Sequence, residues 1–535
     1  MKKSAWTLIT TTLTIAAWPA LAQPLPAEQE AIRAHVVYLA SDDLHGREAG
    51  SADYGRAAEY VAERMKAAGL VPAGAKGGWL QPVPLIGAKL AAPPTMELFI
   101  GDKAVALEFG ADFTATRPSP GPEEVDVRAQ VVFAGYGVVD PVLGIDDYAG
   151  LDVRGKIVAI LPAGPHGLNS EVSAHLTHPV VRARNAAARG AIGVVALETT
   201  RSRASFASGH RYWDMKAMLW SGSDGKPRDD GARALGALSL AGAAKLFEGF
   251  TVSYSQILEA DKAGRKLPTG ALPATLQVKQ RYTVSQVSSP NVAGVLLGSD
   301  PKLRGEYVVL SAHLDHIGIT RPVNGDSINN GAMDNAIGIA SMLEVAKRMA
   351  RGKAPRRSVL FVAVTAEEKG LVGSDYFATF PTVPKDRIVA NVNLDMPILT
   401  YRFTDLVAIG AERSGIGPHA AAAAKRLGFT LVPDPTPQEA SFVRTDHYSF
   451  VKQGVPSVTL APGNGGGGAA AREHFRKNDY HQPSDEVDLP FDWVAAESFV
   501  AVNEALARGI ADAPARPRWA KGDYFGTLFK GPVAE

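Results

Sequence analysis

The chain has 535 residues, 46% of them hydrophobic and 21% charged, with a formal net charge of +1. This length exceeds what one hydrophobic core normally covers, so we expect at least two domains in an ordinary globular protein. The near-neutral charge gives no electrostatic reason to expect nucleic acid or an anionic membrane as a partner.

Residues 1–22 have the pattern of a secretory signal peptide. Lys2 and Lys3 form a positive start, a mostly apolar stretch follows, and Ala20-Leu21-Ala22 supplies a small-x-small cleavage site. The alternative is a membrane anchor, but the stretch is short and rich in threonine, and no later segment offers ~18 uninterrupted apolar residues. The chain contains no cysteine, so neither disulfides nor thiolate ligands are available. These features predict a bacterial periplasmic or secreted protein with no membrane contact after cleavage.

The region after the leader begins with helical patterns. Apolar periodicity predicts helices between Glu28 and Gly69, and Thr95–Ile100 before Gly101-Asp102 predicts a hairpin. Pro118, Pro120 and Pro122 mark a boundary. We therefore assign residues 23–122 to the N-terminal part of the main domain.

From about Val125 to Tyr282 the sequence changes in character. It contains strand-like runs at 129–134, 156–161 and 192–197, with a helical stretch from Val180 to Gly190. The motifs Phe133-Ala134-Gly135-Tyr136-Gly137-Val138 and Asp152-Val153-Arg154-Gly155-Lys156 resemble a protease-associated (PA) domain. This resemblance implies that residues 123–282 form an inserted, β-rich lid or interaction domain. Its histidines His166, His175 and His178 have no fixed spacing or acidic partner, which favours surface positions over a metal site.

Three apolar runs in the remaining segment, 283–535, end in polar residues. Tyr307–Ala312 leads into His313, Ser358–Val364 leads into Glu367 and Glu368, and Ile388–Leu394 leads into Asp395. Such runs, separated by helical patterns, predict buried parallel strands in an α/β sheet flanked by helices. Ligands of these sheets bind beyond the carboxyl ends of the strands, where these polar residues fall.

The candidate ligands of a metal centre are His313, Asp334, Glu368, Asp395 and His481. Each alone has a simpler explanation: Asp334 could cap the helix that follows it, Glu368 and Asp395 could be solvated acids, and the histidines could be loop residues. Together they favour metal, because acids clustered in one cleft repel one another unless a cation neutralises them. A site without thiolates binds its metal through imidazole and carboxylate groups.

The neighbours of these ligands suggest further roles. Glu367 and Glu368 point in opposite directions on an extended segment, so one can bind metal while the other faces water. Asp315 is placed to accept a hydrogen bond from the ring of His313. His316 is left out of the ligand set, because a ligand at that position would require the chain to fold back sharply.

The motifs of this segment resemble the zinc-dependent M28 peptidase family, which includes leucyl-type aminopeptidases and glutamate carboxypeptidases. They are, in order across Asn291 to Asp485, His313-Leu314-Asp315-His316-Ile317-Gly318, Asp334-Asn335-Ala336-Ile337-Gly338, Glu367-Glu368-Lys369-Gly370, Asn393-Leu394-Asp395-Met396, Thr445-Asp446-His447 and Tyr480-His481-Gln482-Pro483. The family also carries inserted PA domains. The implied fold is a mixed, mostly parallel sheet flanked by helices.

The resemblance also implies roles for single residues and two Zn²⁺ per chain. His313 and Asp395 would hold one ion, Glu368 and His481 the other, and Asp334 would bridge them. Glu367 would act as general base and acid, with Asp315 in support. Two such ions can activate water and polarise a peptide carbonyl. The expected partner is a peptide substrate, and a dimer is suggested by family resemblance alone.

The sequence departs from the family pattern at two positions. Met333 stands where an acid often precedes the bridging Asp334, and we expect a change of packing there. Phe442 stands where some aminopeptidases have a tyrosine that assists the oxyanion. Arg444 and His447 are therefore candidates for the oxyanion or substrate contact, with ordinary structural pairing as the alternative.

An aminopeptidase is the leading hypothesis for function. A glutamate carboxypeptidase would need a cationic cluster in the pocket, and the sequence does not place Arg402, Arg413, Arg444 and Lys452 together. A glutaminyl cyclase resembles the same fold with one zinc. A non-catalytic binding protein resembles it with ligands lost, but here all five ligand positions and the base are filled. The glycine-rich segment 463–468 is either a surface linker or a loop at the rim of the site.

Overall fold

The computed structural model describes residues 24–116, 122–202, 205–211, 213–222, 224–228 and 231–535. The expected leader, residues 1–22, lies outside these ranges, as do Pro118 and Pro120 of the expected boundary. Among the described residues, no helix is both long and apolar enough to cross a lipid bilayer.

The strands are β1 (Val71–Pro72), β2 (Leu80–Leu90), β3 (Thr95–Ile100), β4 (Lys103–Leu107), β5 (Phe113–Thr114), β6 (Glu124–Phe133), β7 (Val139–Asp140), β8 (Ile145–Asp146), β9 (Ile157–Ile160), β10 (Gly193–Leu197), β11 (Ala217–Trp220), β12 (Arg233–Leu238), β13 (Gly270–Leu296), β14 (Tyr307–His313), β15 (Gly318–Val323), β16 (Asp326–Asn329), β17 (Ser358–Val364), β18 (Ile388–Asn393), β19 (Asp405–Ile409), β20 (Thr430–Leu431) and β21 (Ser457–Pro462). The helices are α1 (Ala27–Leu39), α2 (Ala52–Ala67), α3 (Ser170–Leu176), α4 (Pro179–Ala187), α5 (Phe206–Arg211), α6 (Leu240–Leu246), α7 (Tyr254–Lys262), α8 (Ile337–Arg351), α9 (Val372–Thr379), α10 (Gly417–Arg426), α11 (His447–Val451), α12 (Gly468–Asn478), α13 (Trp493–Asp512) and α14 (Tyr524–Leu528).

The first sheet has the strand order β11-β2-β13-β17-β14-β18-β21-β19-β20. Its centre, β17-β14-β18-β21, is parallel, and the strands on either side of that centre join it antiparallel. Every residue of β17 and β18 is buried, as expected for strands covered by helices on both faces. The predicted fold class, a mixed and mostly parallel α/β sheet flanked by helices, is confirmed.

Helices α1, α8 and α13 pack together over one face of this sheet. The apolar positions that predicted a helix after Asp334 are all buried in α8, which begins at Ile337. Asp334 does not cap this helix, because the residue at the N-cap is Ala336 and the helix has no side-chain cap hydrogen bond among the described residues. The capping explanation for Asp334 is therefore wrong, and the aspartate is left available for the site.

The second sheet has the order β4-β3-β13-β6-β9-β10-β12-β5. It shares β13 with the first sheet. This long strand pairs with β6 as far as Arg281, pairs with β2 from Tyr282 to Val292, and reaches β17 at Val292. The change of partner at Tyr282 coincides with the predicted end of the inserted segment. We refer to residues 91–281, whose strands other than β7, β8 and β11 belong to this sheet, as the second-sheet unit.

The start of the second-sheet unit differs from the predicted boundary at residue 122. Strands β3, β4 and β5 belong to the second sheet, whereas the sequence pattern places them in the N-terminal part of the main domain. The reason is that β2 runs alongside β13, so the chain reaches the second sheet soon after Leu90, which pairs with Tyr282. The predicted hairpin is confirmed: β3 and β4 pair around Gly101-Asp102, with Ile100 opposite Lys103.

Candidate metal centre

Three of the predicted ligands lie at one edge of the first sheet. His313 is the last residue of β14, Glu368 follows the end of β17 by four residues, and Asp395 follows the end of β18 by two. Because β17, β14 and β18 are adjacent and parallel, their carboxyl ends meet at the same place. The order of apolar runs in the sequence is enough to bring these side chains together.

The other two ligands come from loops. Asp334 lies in the turn Ala332–Ala336 that leads into α8. The carboxylate of Asp485 accepts hydrogen bonds from the backbone N–H groups of Met333 (2.7 Å) and Asp334 (2.9 Å), which fixes this turn. His481 follows α12 in a left-handed conformation with φ of 56°, and its ring stacks on Tyr480 with 3.9 Å between centroids.

Asp334 stands between the two predicted ligand pairs. Its Oδ1 lies 3.1 Å from His313 Nε2, and its Oδ2 lies 3.4 Å from His481 Nε2. His313 Nε2 also lies 3.2 Å from Asp395 Oδ1, and His481 Nε2 lies 3.2 Å from Glu368 Oε2. The two oxygens of the Asp334 carboxylate thus face two different histidines. Each histidine also contacts a second acid, Asp395 or Glu368.

The donor set fits divalent zinc. The possible ligand atoms of His313, Asp334 and Asp395 lie within 4.8 Å of one another, and so do those of a second group, His316, Asp334 and Glu368. Imidazole nitrogen and carboxylate oxygen are ligands that zinc takes. In addition, Oε1 of Glu368 is buried 2.7 Å from Nδ1 of His316 and has no hydrogen-bond partner among the described residues, a costly arrangement that a cation relieves.

Asp315 supports the site in a different way from the one predicted. The ring nitrogen Nδ1 of His313 faces the backbone carbonyl of Asp315 at 3.0 Å, so the carboxylate is not its partner. The carboxylate instead accepts hydrogen bonds from the backbone N–H groups of Glu367 (3.0 Å) and Glu368 (3.3 Å). Asp315 therefore fixes the loop that carries both glutamates.

Glu367 is half-buried and lines the cavity beside the ligands. Burial and the negative charges of Glu368 and Asp395 raise the pKa of Glu367 well above its ordinary value, although His313 opposes this. Burial by itself lowers the pKa of the His313 imidazole. Asp395 and Asp334 outweigh this effect and raise that pKa well above its usual value. The carboxylate of Glu367 faces the same space as His313, Asp334 and Asp395.

The cavity at this centre has an apolar part and a cationic part. Its other walls include Met396, Ile398, Val407, Ile409, Asp434, Arg444, Arg472, Arg476 and Tyr480. Glu439 pairs with Arg476 at 2.7 Å and with Arg444 at 3.6 Å. Arg472 donates to the Asn464 side chain and to the Pro462 carbonyl, both at 2.9 Å.

Three residues of this cavity wall were not among the functional candidates predicted from the sequence. Arg472 and Arg476 lie on α12, which begins at the last glycine of the segment 463–468, so this segment connects Pro462 of the wall to the helix that carries both arginines. Tyr480 was also missed, although its position directly before His481 was a usable signal. Burial raises the pKa of Tyr480 to about 12, so its hydroxyl keeps its proton at neutral pH.

Of the candidates for substrate contact, Arg444 lines the cavity and His447 does not. His447 is fully buried, with its Nδ1 close to Thr445 and 3.0 Å from Thr459, and burial lowers its pKa to about 3. The other cations considered are engaged elsewhere: Arg402 pairs with Asp492, Arg413 with Glu171 and Asp523, and Lys452 with Asp375. Phe442 is buried against the rings of His447 and Phe525.

The histidines of the second-sheet unit take no part in either candidate metal group among the described residues. His166 is close to the Asp261 carbonyl at 2.7 Å, and His178 accepts a hydrogen bond at the start of α4. His175 is half-buried and contacts the Tyr448 hydroxyl of the other unit. Burial lowers the pKa of His175 to about 4, so a surface position is wrong for this residue.

A second cavity reaches the same centre from the other side. Glu368 and His481 form one part of its wall together with Ile317, and the second-sheet unit supplies the rest, including Phe206 and Met215. The second-sheet unit therefore covers the candidate metal centre.

The fold and this cluster define an α/β protein with a candidate metal centre at the carboxyl edge of a parallel sheet. Residues 291–507 match the sequence profile of Peptidase family M28. This matched range covers less than half of the chain, and it carries all five predicted ligands.

Parts of the chain are similar to individual known proteins. The chain is 27% identical over 234 residues to the probable lipoprotein aminopeptidase LpqL of Mycobacterium tuberculosis, which covers 40% of this chain and 42% of that protein. It is 32% identical over 110 residues to a probable zinc metalloprotease of Pyrenophora teres, covering 21% of this chain and 23% of the relative. The chain thus spans less than half the length of these curated relatives. The structure of an aminopeptidase from Aneurinibacillus has the same fold, with a TM-score of 0.51 at 22% identity, covering 91% of this chain and 95% of that one.

Proposed function

We propose that this protein is an exported di-zinc exopeptidase, and most specifically an aminopeptidase that releases N-terminal residues from peptides. The observation that carries the proposal is the position of Asp334, whose two oxygens face His313 and His481 at 3.1 and 3.4 Å. A carboxylate shared in this way suits a centre for two cations. The names of the curated relatives, an aminopeptidase and a zinc metalloprotease, support the same reaction class.

In this proposal His313 and Asp395 hold one zinc, Glu368 and His481 hold the other, and Asp334 bridges them. When bound, a pair of zinc ions lowers the pKa of water and polarises a carbonyl. The remaining steps fall to residues of the chain itself. Because the ligands Glu368 and His481 also line the second cavity, peptide has two possible approaches to the centre, one of them beneath the second-sheet unit.

Glu367 acts as general base and then as general acid. Its carboxylate lines the cavity among the ligands, and Asp315 holds its backbone in place. Glu367 takes a proton from the water that attacks the peptide carbonyl carbon, and later gives that proton to the leaving nitrogen as the C–N bond breaks. A raised pKa helps the group to hold the proton between the two steps.

Two donors of the cavity wall can contact the carbonyl oxygen as negative charge develops on it. Tyr480 keeps its hydroxyl proton, since its pKa is about 12, and it stacks on His481. Arg444 is the second donor and carries a permanent charge. Donors fixed before the reaction are worth several kcal/mol at such a position.

The role of Glu367 is tested by Glu367→Ala and Glu367→Gln. Both proteins should keep their bound zinc, since Glu367 is not a ligand, and both should lose turnover of aminoacyl substrates by orders of magnitude. Zinc content and kcat are measured on the same preparation. Undiminished hydrolysis by either variant refutes the proposed base.

A carboxypeptidase is the second candidate, and the arginines of the cavity favour it. Arg444, Arg472 and Arg476 line one cavity with the candidate ligands, while the acids on that side are Asp434 and Glu439. Such a cationic wall can bind the C-terminal carboxylate of a peptide or an acidic side chain. Peptides blocked at the N-terminus or at the C-terminus separate the candidates: an aminopeptidase cleaves only the C-terminally blocked peptide, and a carboxypeptidase only the N-terminally blocked one.

Export and the role of the second-sheet unit belong to the same proposal. The signal-like residues 1–22 support transport to the periplasm or beyond. We assign the second-sheet unit to the PA type, as a fixed cover over the centre that limits access to small or extended peptides. N-terminal sequencing of protein from the cell envelope and culture medium tests export: a mature chain that starts at Gln23 is expected.

A further inference from the structure

His316 lies where sequence reasoning had excluded a ligand. Directly after Asp315 the chain passes beside the N-terminal segment: the backbone N–H of His316 donates to the Arg47 carbonyl at 3.3 Å, and Gly318 follows with φ of 77°. The imidazole of His316 lies in the protein interior, where the side chain has no exposed surface.

The imidazole of His316 has no hydrogen-bond partner on either ring nitrogen among the described residues. Its Nδ1 lies 2.7 Å from Oε1 of Glu368, and that oxygen also lacks a hydrogen-bond partner. The two atoms are close enough to bond, but the N–H direction does not suit a hydrogen bond. Leaving such groups unpaired in the interior costs about 1–3 kcal/mol each.

A cation accounts for this arrangement better than a hydrogen bond does. His316, Asp334 and Glu368 each offer a ligand atom, and these atoms lie within 4.8 Å of one another. His481 joins the same group, with its Nε2 3.2 Å from Glu368 and 3.4 Å from Asp334. A metal ion bound here would take up the free electron pairs of both His316 and Glu368.

We propose that His316 is a direct ligand of the second zinc, alongside Asp334, Glu368 and His481; this inference rests on the proposed di-zinc centre. The two metal positions then differ in kind. The position at His313 has three protein donors, which leaves room for water, whereas the position at His316 has four, as in closed zinc sites. The zinc at His316 is therefore the one held more tightly and exchanged more slowly.

The affinity test uses His316→Ser, with His35→Gln as the matched control. His35 is also a buried histidine, but its nitrogens already contact Tyr60 (2.7 Å) and Glu344 (3.3 Å). Zinc is titrated into each apoprotein in competition with a chromophoric chelator. The wild type and the control should bind two zinc ions per chain, and His316→Ser should bind one of them at least ~100-fold more weakly. If His316→Ser binds both zinc ions as tightly as the wild type does, the inference is overturned.

A supporting role through Glu368 would also weaken zinc, so a second variant decides whether His316 is a ligand. His316→Cys introduces a thiol into a chain that has no cysteine. With Co²⁺ in place of zinc, a cysteine that binds the metal gives a sulfur-to-cobalt charge-transfer band in the near ultraviolet, which the wild type cannot show. That band is the expected result, and a fully cobalt-loaded His316→Cys protein without it overturns the inference.

The outcomes separate this inference from the proposed function. If the wild-type protein binds no zinc, both the proposed function and the inference about His316 are refuted. A wild-type protein that binds two zinc ions and hydrolyses peptides, together with a His316→Cys protein that shows no band, ends the inference alone. If His316→Ser does not fold, the cobalt spectrum of His316→Cys still decides the result.

Discussion

The carboxylate of Asp485 accepts a hydrogen bond from the backbone N–H of Asp334 at 2.9 Å, and another from Met333 at 2.7 Å. Asp485 thereby fixes the turn that presents the bridging carboxylate. We expect Asp485→Ala to lower zinc affinity about 10–100-fold, the usual effect of removing a group that orients a ligand. Competition titration with a chelator measures this. Asp492→Ala is the control, since Asp492 caps α13; it should cost about 1 kcal/mol of stability and leave zinc affinity unchanged.

Asp315 holds the backbone of Glu367 and Glu368 through its two carboxylate oxygens. An amide in its place turns one acceptor into a donor that faces another N–H group. Asp315→Asn should therefore displace Glu367 and lower kcat about 10–100-fold, while KM changes much less. Steady-state kinetics on one peptide substrate measures both constants. An unchanged kcat in a fully zinc-loaded Asp315→Asn protein contradicts this role.

The arginines of the cavity should govern selectivity for carboxylates. Arg472→Met keeps most of the side-chain volume and removes the charge from the cavity wall. We expect kcat/KM for peptides with an acidic residue or a free C-terminal carboxylate to fall about tenfold, relative to neutral blocked peptides. Arg402→Met is the control, because Arg402 pairs with Asp492 away from the cavity wall. Equal losses on acidic and neutral peptides would count against a carboxylate site.

Glu306 should make stability depend on pH. Burial opposes ionisation, but hydrogen bonds from Arg357 (2.7 Å) and Arg516 (2.9 Å) lower the pKa of Glu306 below its ordinary value. Because the folded-state pKa is lowered, the stabilisation is complete above the ordinary pKa of glutamate and is lost as pH falls through the lowered value. Arg357 is buried, so Glu306→Gln should lower the free energy of unfolding by about 3 kcal/mol at pH 7.

Urea unfolding at a series of pH values measures this effect. The difference in the free energy of unfolding between the wild type and Glu306→Gln should become smaller as the pH falls. Asp300→Asn is the matched control: Asp300 pairs with Arg356, the neighbour of Arg357, but that pair is more exposed, and its loss should cost less than about 1 kcal/mol. If this difference in the free energy of unfolding does not change with pH, the proposed role of the Glu306 charge is contradicted.

The sequence predicts the centre of the fold well, because buried parallel strands appear in a sequence as continuous apolar runs. His313, Glu368 and Asp395 follow such runs, and the sheet brings them to one edge. Asp334 and His481 lie on loops, whose paths are set by contacts distant in sequence, such as the one from Asp485. The order of the apolar runs does not by itself bring these two residues to the strand-end ligands.

What the sequence did not predict depends on tertiary contacts. The position of His316 follows from a turn held by the Arg47 carbonyl, far away in the chain. The partner of His313 Nδ1 is a backbone carbonyl, which side-chain alternation does not reveal. The second sheet begins earlier than predicted because one strand, β13, serves both sheets. The arginine cluster forms because α12 packs over the cavity, which no local pattern indicates.

The amount of zinc bound per chain tests the central claim most directly. The protein is equilibrated with buffered zinc, and metal and protein are quantified by elemental analysis beside a peptide-hydrolysis assay. We predict two zinc ions per chain, hydrolysis that is lost on treatment with a strong chelator, and recovery when zinc is returned. A protein that binds no zinc, or that hydrolyses peptides equally well after complete removal of metal, contradicts the account.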